Sequence, residues 1–146
     1  LKSAHIPLEF PLEFQSRSKK GVIRGLHFQK YPFAQGKLVR VIRGKALDVA
    51  VDIREHSSTY GKWFSRILSE ENNNMLWIPV GFAHGFLALE DDTIMHYKVT
   101  SPYRPEYECG IRRDDPVLKI NWGIGNAIFS ERDAKHLYLS QLHDLF

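Results

Sequence analysis

From residue 21 onward the chain alternates apolar and polar positions with a period of two. In Ala46-Leu-Asp-Val-Ala-Val-Asp-Ile53, the residues Leu47, Val49, Val51 and Ile53 share one face, and Asp48, Ala50 and Asp52 share the other. Successive side chains of a β-strand alternate in this way. The stretches 21–29 and 35–44 read as strands bounded by Gly21, Gly36 and Gly44. Strands at 63–68, 75–78, 83–89 and 93–100 continue the series, with a loop at 57–61 and a polar turn at 70–74. Arg43-Gly-Lys45 reads as a hairpin turn. Short strands at such spacing predict an all-β sandwich or barrel. Residues 1–20 say less, because Pro7 and Pro11 demote any strand there to an edge or a loop. Only the end changes period. Ala134, Leu137, Leu139 and Leu142 approach helical spacing behind Ser130 as N-cap, which predicts a C-terminal helix over 130–145 or two short ones.

Composition narrows the class. With 146 residues, 43% hydrophobic and 12% aromatic, the chain has the size of one domain, 1–146, with a real core. Cys109 is alone, so no internal disulfide forms and nothing asks for an oxidising compartment; cytoplasm is the default. No apolar run approaches the roughly 20 residues of a membrane span. The start, Leu1-Lys-Ser-Ala, lacks the charged-then-apolar pattern of a signal peptide. A soluble protein without a membrane role is expected. The net charge is +3, yet the basic residues are scattered among acids apart from Arg17-Ser-Lys-Lys20. That argues against nucleic acid as partner and suffices for a small anionic ligand.

Candidate chemistry concentrates where the strands begin. Arg24, His27 and Lys37 offer an anion anchor, a base and a cation on stiff backbone. Such a set can remove a proton next to a carbonyl and steady the resulting negative charge. Structural roles compete at every position: His27 and His84 as packed imidazoles, Tyr97 as packing, Arg24 and Lys37 as solvated charges. Strict alternation also puts Arg24 and His27 on opposite faces, which predicts a bulge at Gly25. No His-x-His pair occurs, His27, His84 and His96 stand apart, and a metal-free site without cofactor is expected.

The blocks Arg24-Gly-Leu-His-Phe-Gln29, Gln35-Gly-Lys-Leu-Val-Arg40, Asp48-Val-Ala-Val-Asp-Ile-Arg54, Trp77-Ile-Pro-Val-Gly-Phe-Ala-His-Gly-Phe86, Tyr97-Lys98 and Asp114-Asp-Pro116 occur in that order. Together they resemble the dTDP-4-dehydrorhamnose 3,5-epimerase family from about Gly21 to Asp133. The resemblance implies a cupin-type jelly-roll β-barrel with a short C-terminal helix, a homodimer, and a sugar-nucleotide substrate. The implied reaction is epimerisation of a nucleotide-linked 4-keto-6-deoxyhexose at C3 and C5. In that family the position of His27 is the general base, and that of Asp133, in Phe129-Ser-Glu-Arg-Asp133, is its carboxylate partner. Ser130 and Asp133 also have the spacing of a capping box, and Asp48 is a second candidate to support His27 or Lys37. The resemblance makes Tyr97 the general acid on the opposite sugar face and sets Lys37 and Arg24 against the enolate oxygen and the diphosphate. His84 becomes a substrate contact, Tyr103 the ring that stacks on the nucleotide base, and Glu108 and Arg132 further ligand positions. The family's N-terminal nucleotide-contacting blocks are not found whole; Gln15-Ser-Arg17 reads as a remnant. Alternatives are an epimerase acting at C3 or C5 alone, a ketoisomerase, a non-catalytic sugar-nucleotide binder, and a metal-dependent cupin enzyme.

Overall fold

The computed structural model describes residues 6, 7 and 9–146, and its described residues form two antiparallel sheets facing each other. The opening Leu1-Lys-Ser-Ala stretch lies outside the described residues. The strands are β1 (Leu12–Ser18), β2 (Ile23–Gln29), β3 (Lys37–Arg43), β4 (Lys45–Asp52), β5 (Trp63–Ser69), β6 (Met75–Ile78), β7 (Phe82–Ala88), β8 (Thr93–Val99) and β9 (Glu108–Gly110). One sheet has the order β1-β8-β3-β6, the other β5-β4-β7-β2-β9. The expected strands are therefore present, and β1 takes an edge, as the prolines before it require.

The turn at Gly44 departs from expectation. β3 and β4 do not pair as a hairpin but belong to different sheets. Gly44 has φ +85°, and a Cβ on it would stand 2.5 Å from the Thr93 hydroxyl oxygen, so the chain turns a tight corner here.

Crossing between sheets gives β4 cover on both faces. Its Ala46 and Ala50 face the core between the sheets, with Val39, Phe86, Met95 and Val99. Its Val49 and Val51 face a second core, built with Ile23, Leu26 and Leu87 under Ile111, Leu118, Trp122, Leu139, Leu142 and Leu145 from the C-terminal segment. Two buried carboxylates organise loops around this frame. Asp52 accepts hydrogen bonds from Arg54, Ser57 and Thr59, and Asp115 accepts from the backbone N–H groups of Val117, Leu118 and Leu139.

The stretch 130–145 is not a continuous helix. It forms a single helical turn α1 (Glu131–Ala134) and a 3-10 turn (Leu139–Gln141). Leu139, Leu142 and Leu145 lie along the sheet's outer face, on chain that is extended at Tyr138 and Leu142, on either side of the 3-10 turn. Surface coverage overrides local periodicity here.

Candidate active site

The cavity at the mouth of the two sheets encloses about 410 Å³, within the range of small-molecule sites. Arg24, His27, Lys37, His84, Tyr97, Tyr103, Glu108 and Arg132 all line it. Asp133 stands directly behind His27.

β2 supplies the first wall. Its pairing with β7 slips between Arg24 and His27. Gly25, at φ +112°, absorbs the extra residue, and a Cβ there would sit 2.6 Å from the His84 carbonyl oxygen. The slip is the bulge expected from the sequence, and it turns both Arg24 and His27 toward the cavity. His27 Nε2 lies 2.7 Å from Asp133 Oδ1. A neutral imidazole bonded this way donates from Nε2 and keeps its lone pair on Nδ1. The other oxygen of Asp133 accepts from Gly25 N–H at 3.1 Å, so the bulge also fixes the carboxylate. Burial alone would raise the Asp133 pKa; the hydrogen bond and charge of His27, with Gly25 N–H, hold it below the usual range. Asp133 N–H meanwhile donates to Ser130 Oγ at the start of α1. The capping role and the pairing role coexist, one on the main chain and one on the side chain.

β8, in the opposite sheet, supplies Tyr97. Burial drives its phenol pKa upward, and the hydrogen bond shared with Ser16 opposes the shift, so the hydroxyl is protonated and able to donate. The two hydroxyl oxygens are 3.2 Å apart, and Phe14 stacks on the Tyr97 ring at a centroid distance of 4.6 Å.

Lys37 opens β3 and is 8% exposed. Desolvation lowers its pKa to about 8, against the pull of Glu108 and Asp48. His84, 3% exposed, bonds through Nε2 to Asp48 Oδ1 at 2.7 Å, and burial lowers its pKa. Asp48 therefore supports His84 rather than His27, and reaches Lys37 by charge alone.

At the rim, Tyr103 donates to Glu108 at 2.7 Å, and Glu108 pairs with Arg132. Burial raises the Glu108 pKa, but those two partners bring it below the ordinary value. Arg24 donates to Ser18 Oγ and to the Arg17 carbonyl.

Sequence reasoning missed Ser16 and Phe14 on the edge strand, and Gln35 beside Lys37, all of which line the cavity. Ser16 was legible only as part of the Gln15-Ser-Arg17 remnant. His136 was missed as well: its ring meets His27 edge-on at 5.3 Å. His27, Asp133 and His136 form a group able to offer three donor atoms to a metal ion.

The profile of the family described as dTDP-4-dehydrorhamnose 3,5-epimerase matches residues 1–141. A dTDP-4-dehydrorhamnose 3,5-epimerase of Sinorhizobium fredii is 54% identical over 123 residues, which is 84% of this chain and 63% of that protein. One from Escherichia coli is 47% identical over 137 residues, 93% of this chain and 74% of that one. This chain thus spans less than two thirds of the first relative's length and about three quarters of the second's. Among solved structures, a dTDP-6-deoxy-D-glucose-3,5-epimerase of Legionella pneumophila in complex with dTDP-4-keto-L-rhamnose superposes with a TM-score of 0.92 at 45% identity, covering 97% of this chain and 76% of that one. A dTDP-4-dehydrorhamnose 3,5-epimerase of Bacillus anthracis with TDP and PPi bound gives a TM-score of 0.91 at 39% identity, covering 94% of this chain and 79% of that one.

Proposed function

The chain belongs to the dTDP-4-dehydrorhamnose 3,5-epimerase family, and from that membership and the cavity we propose that it epimerises a dTDP-linked 4-keto-6-deoxyhexose at C3 and C5. The carrying observation is that His27 on β2 and Tyr97 on β8 line one cavity from opposite sheets. Inversion at carbon needs a base on one face of the ring and an acid on the other.

The C–H bonds at C3 and C5 flank the C4 ketone, so loss of either proton gives an enolate whose charge rests on the C4 oxygen. His27 Nδ1 takes the proton and becomes imidazolium, which Asp133 stabilises through Nε2–H. The Lys37 ammonium faces the developing oxyanion in a site shielded from water, where a cation is worth more than in bulk. Tyr97 O–H gives its proton to the opposite face of the same carbon. The resulting phenolate accepts a hydrogen bond from Ser16 and regains a proton from solvent, while His27 releases one, so the reaction is a net isomerisation. Arg24 meets the diphosphate, Tyr103 the nucleotide base, and His84, Glu108 and Arg132 contact the substrate. The chemistry uses neither metal nor redox cofactor.

The chain acts as one epimerase-like domain over 1–146 and, in this reading, as a cytoplasmic homodimer. The described residues include no helix long and apolar enough to cross a membrane. Exposed Phe64 and Ile67 on edge strand β5 and Met75 on edge strand β6 support a partner copy.

The test is proton NMR of dTDP-4-keto-6-deoxyglucose in heavy water with the purified protein. Deuterium entering at both C3 and C5 with inversion is expected; entry at one carbon alone reduces the activity to a mono-epimerase. Binding without any exchange would refute catalysis.

A further inference from the structure

Adjoining the substrate cavity across Glu108 and Arg132, which line both, lies a second cavity of about 280 Å³ lined also by Cys109, Gly110, His136 and Leu137, among others. His136 belongs to this cavity and not to the substrate cavity. Its Nε2 points at Asp133 Oδ1, but from 3.9 Å, too far for a hydrogen bond. Its Nδ1 is buried and has no hydrogen-bond partner among the described residues, so nothing commits Nε2 to being the protonated nitrogen. The ring cannot retreat toward β9, because even a Cβ on Gly110 would stand 2.3 Å from it.

One donor atom each from His27, Asp133 and His136 lies within 4.8 Å of the other two. Two imidazoles and a carboxylate are a zinc-type donor set. Bonds of about 2.0–2.2 Å in tetrahedral geometry put neighbouring donors roughly 3.3 Å apart. The observed 2.7 Å between His27 and Asp133 and 3.9 Å between His136 and Asp133 straddle that spacing, so a shift of about 0.6 Å in each brings both imidazoles to it against the shared carboxylate. Of the two cations that line this cavity, Arg132 and Lys135, Arg132 is paired with Glu108.

We propose that His27, Asp133 and His136 form an inhibitory site for Zn²⁺, loaded from this second cavity. This inference rests on the catalytic reading above, because it concerns the same imidazole. To ligate the ion through the Nε2 lone pair, the neutral ring must carry its proton on Nδ1, so the proton that faced Asp133 moves to Nδ1 and Nδ1 has no lone pair left to serve as base. The substrate cavity in front stays open. Inhibition is therefore noncompetitive: kcat falls as zinc binds while KM holds.

Calorimetric titration of the substrate-free protein with Zn²⁺, and a parallel Co²⁺ titration read by visible absorption, test the site without reference to turnover. Expected are one ion per chain, a tetrahedral cobalt spectrum, and affinity lowered at least about tenfold in His136→Ala. In kinetics, zinc lowers wild-type kcat reversibly, chelator restores it, and His136→Ala turns over in zinc-free buffer yet resists zinc. Absence of stoichiometric zinc binding by the wild type, equal affinity in His136→Ala, or inhibition that raises KM alone would each overturn the proposal. Because the wild-type cobalt spectrum needs no variant, a His136→Ala protein that fails to fold leaves the test intact. Because calorimetry needs no substrate, loss of the catalytic reading does not decide it. Turnover with no zinc binding would sink the inference and spare the enzyme.

Discussion

Replacing Lys37 with methionine should make the protein more stable and less active at once. Lys37 is buried at the start of β3, and desolvation takes its pKa from 10.5 to about 8. At about 1.36 kcal/mol per pH unit, the folded protein holds that charge at a penalty of roughly 3 kcal/mol. The proton stays on the unfolded chain up to 10.5 but on the folded chain only up to about 8. Between those values the unfolded state binds more protons, so raising the pH favours folding, and below pH 8 the whole penalty is present. Methionine fills a similar volume with no charge to desolvate. At pH 7, Lys37→Met should therefore gain up to about 3 kcal/mol, or several degrees in Tm for a chain of this size. Its turnover should fall by about 10²- to 10³-fold, as when an oxyanion donor is removed. Guanidinium unfolding of both proteins at pH 7 and pH 10.5 measures the effect, since the difference between them isolates Lys37 from other titrations. The gap should be largest at pH 7 and close toward 10.5. A variant less stable than wild type at pH 7 with an unchanged m-value, or a gap independent of pH, would refute the reasoning.

Further outcomes follow from the same geometry. Wild-type kcat/KM should fall above about pH 8 as Lys37 loses its proton, and Lys37→Arg should move that limb to higher pH in a pH–rate profile. His27→Asn should lower kcat by roughly 10²- to 10⁴-fold while leaving the circular dichroism spectrum unchanged; full activity would remove the base assignment. Tyr97→Phe, which deletes only the hydroxyl bonded to Ser16, should still exchange deuterium into the substrate at the base's face but stop inverting it, as NMR in heavy water would report. Gly25→Ala puts a Cβ 2.6 Å from the His84 carbonyl at φ +112°. It should lower stability by about 1–3 kcal/mol in denaturant unfolding and displace His27 from Asp133, reducing kcat as well.

Much of this protein was settled by local patterning. A period of two fixes which residues of β4 face together, because a strand offers only two sides. Glycine between Arg24 and His27 foretold the slip that turns both into one cavity, since only an extra residue reconciles three-residue spacing with a shared face. Tertiary structure decided what that pattern cannot carry. Whether Gly44 closes a hairpin or turns a corner depends on β4 needing cover on both faces, a demand set by strands far away in sequence. The C-terminal stretch had helical spacing but lies along a sheet whose outer face it must seal, so coverage won over periodicity. His27 and Asp133 stand 106 residues apart in sequence, and Asp48 went to His84, although the sequence offered it only to His27 or Lys37. Period and residue type are properties of neighbours along the chain. The partner that a buried charge finds is chosen by the fold, because only there do desolvation and distance act together.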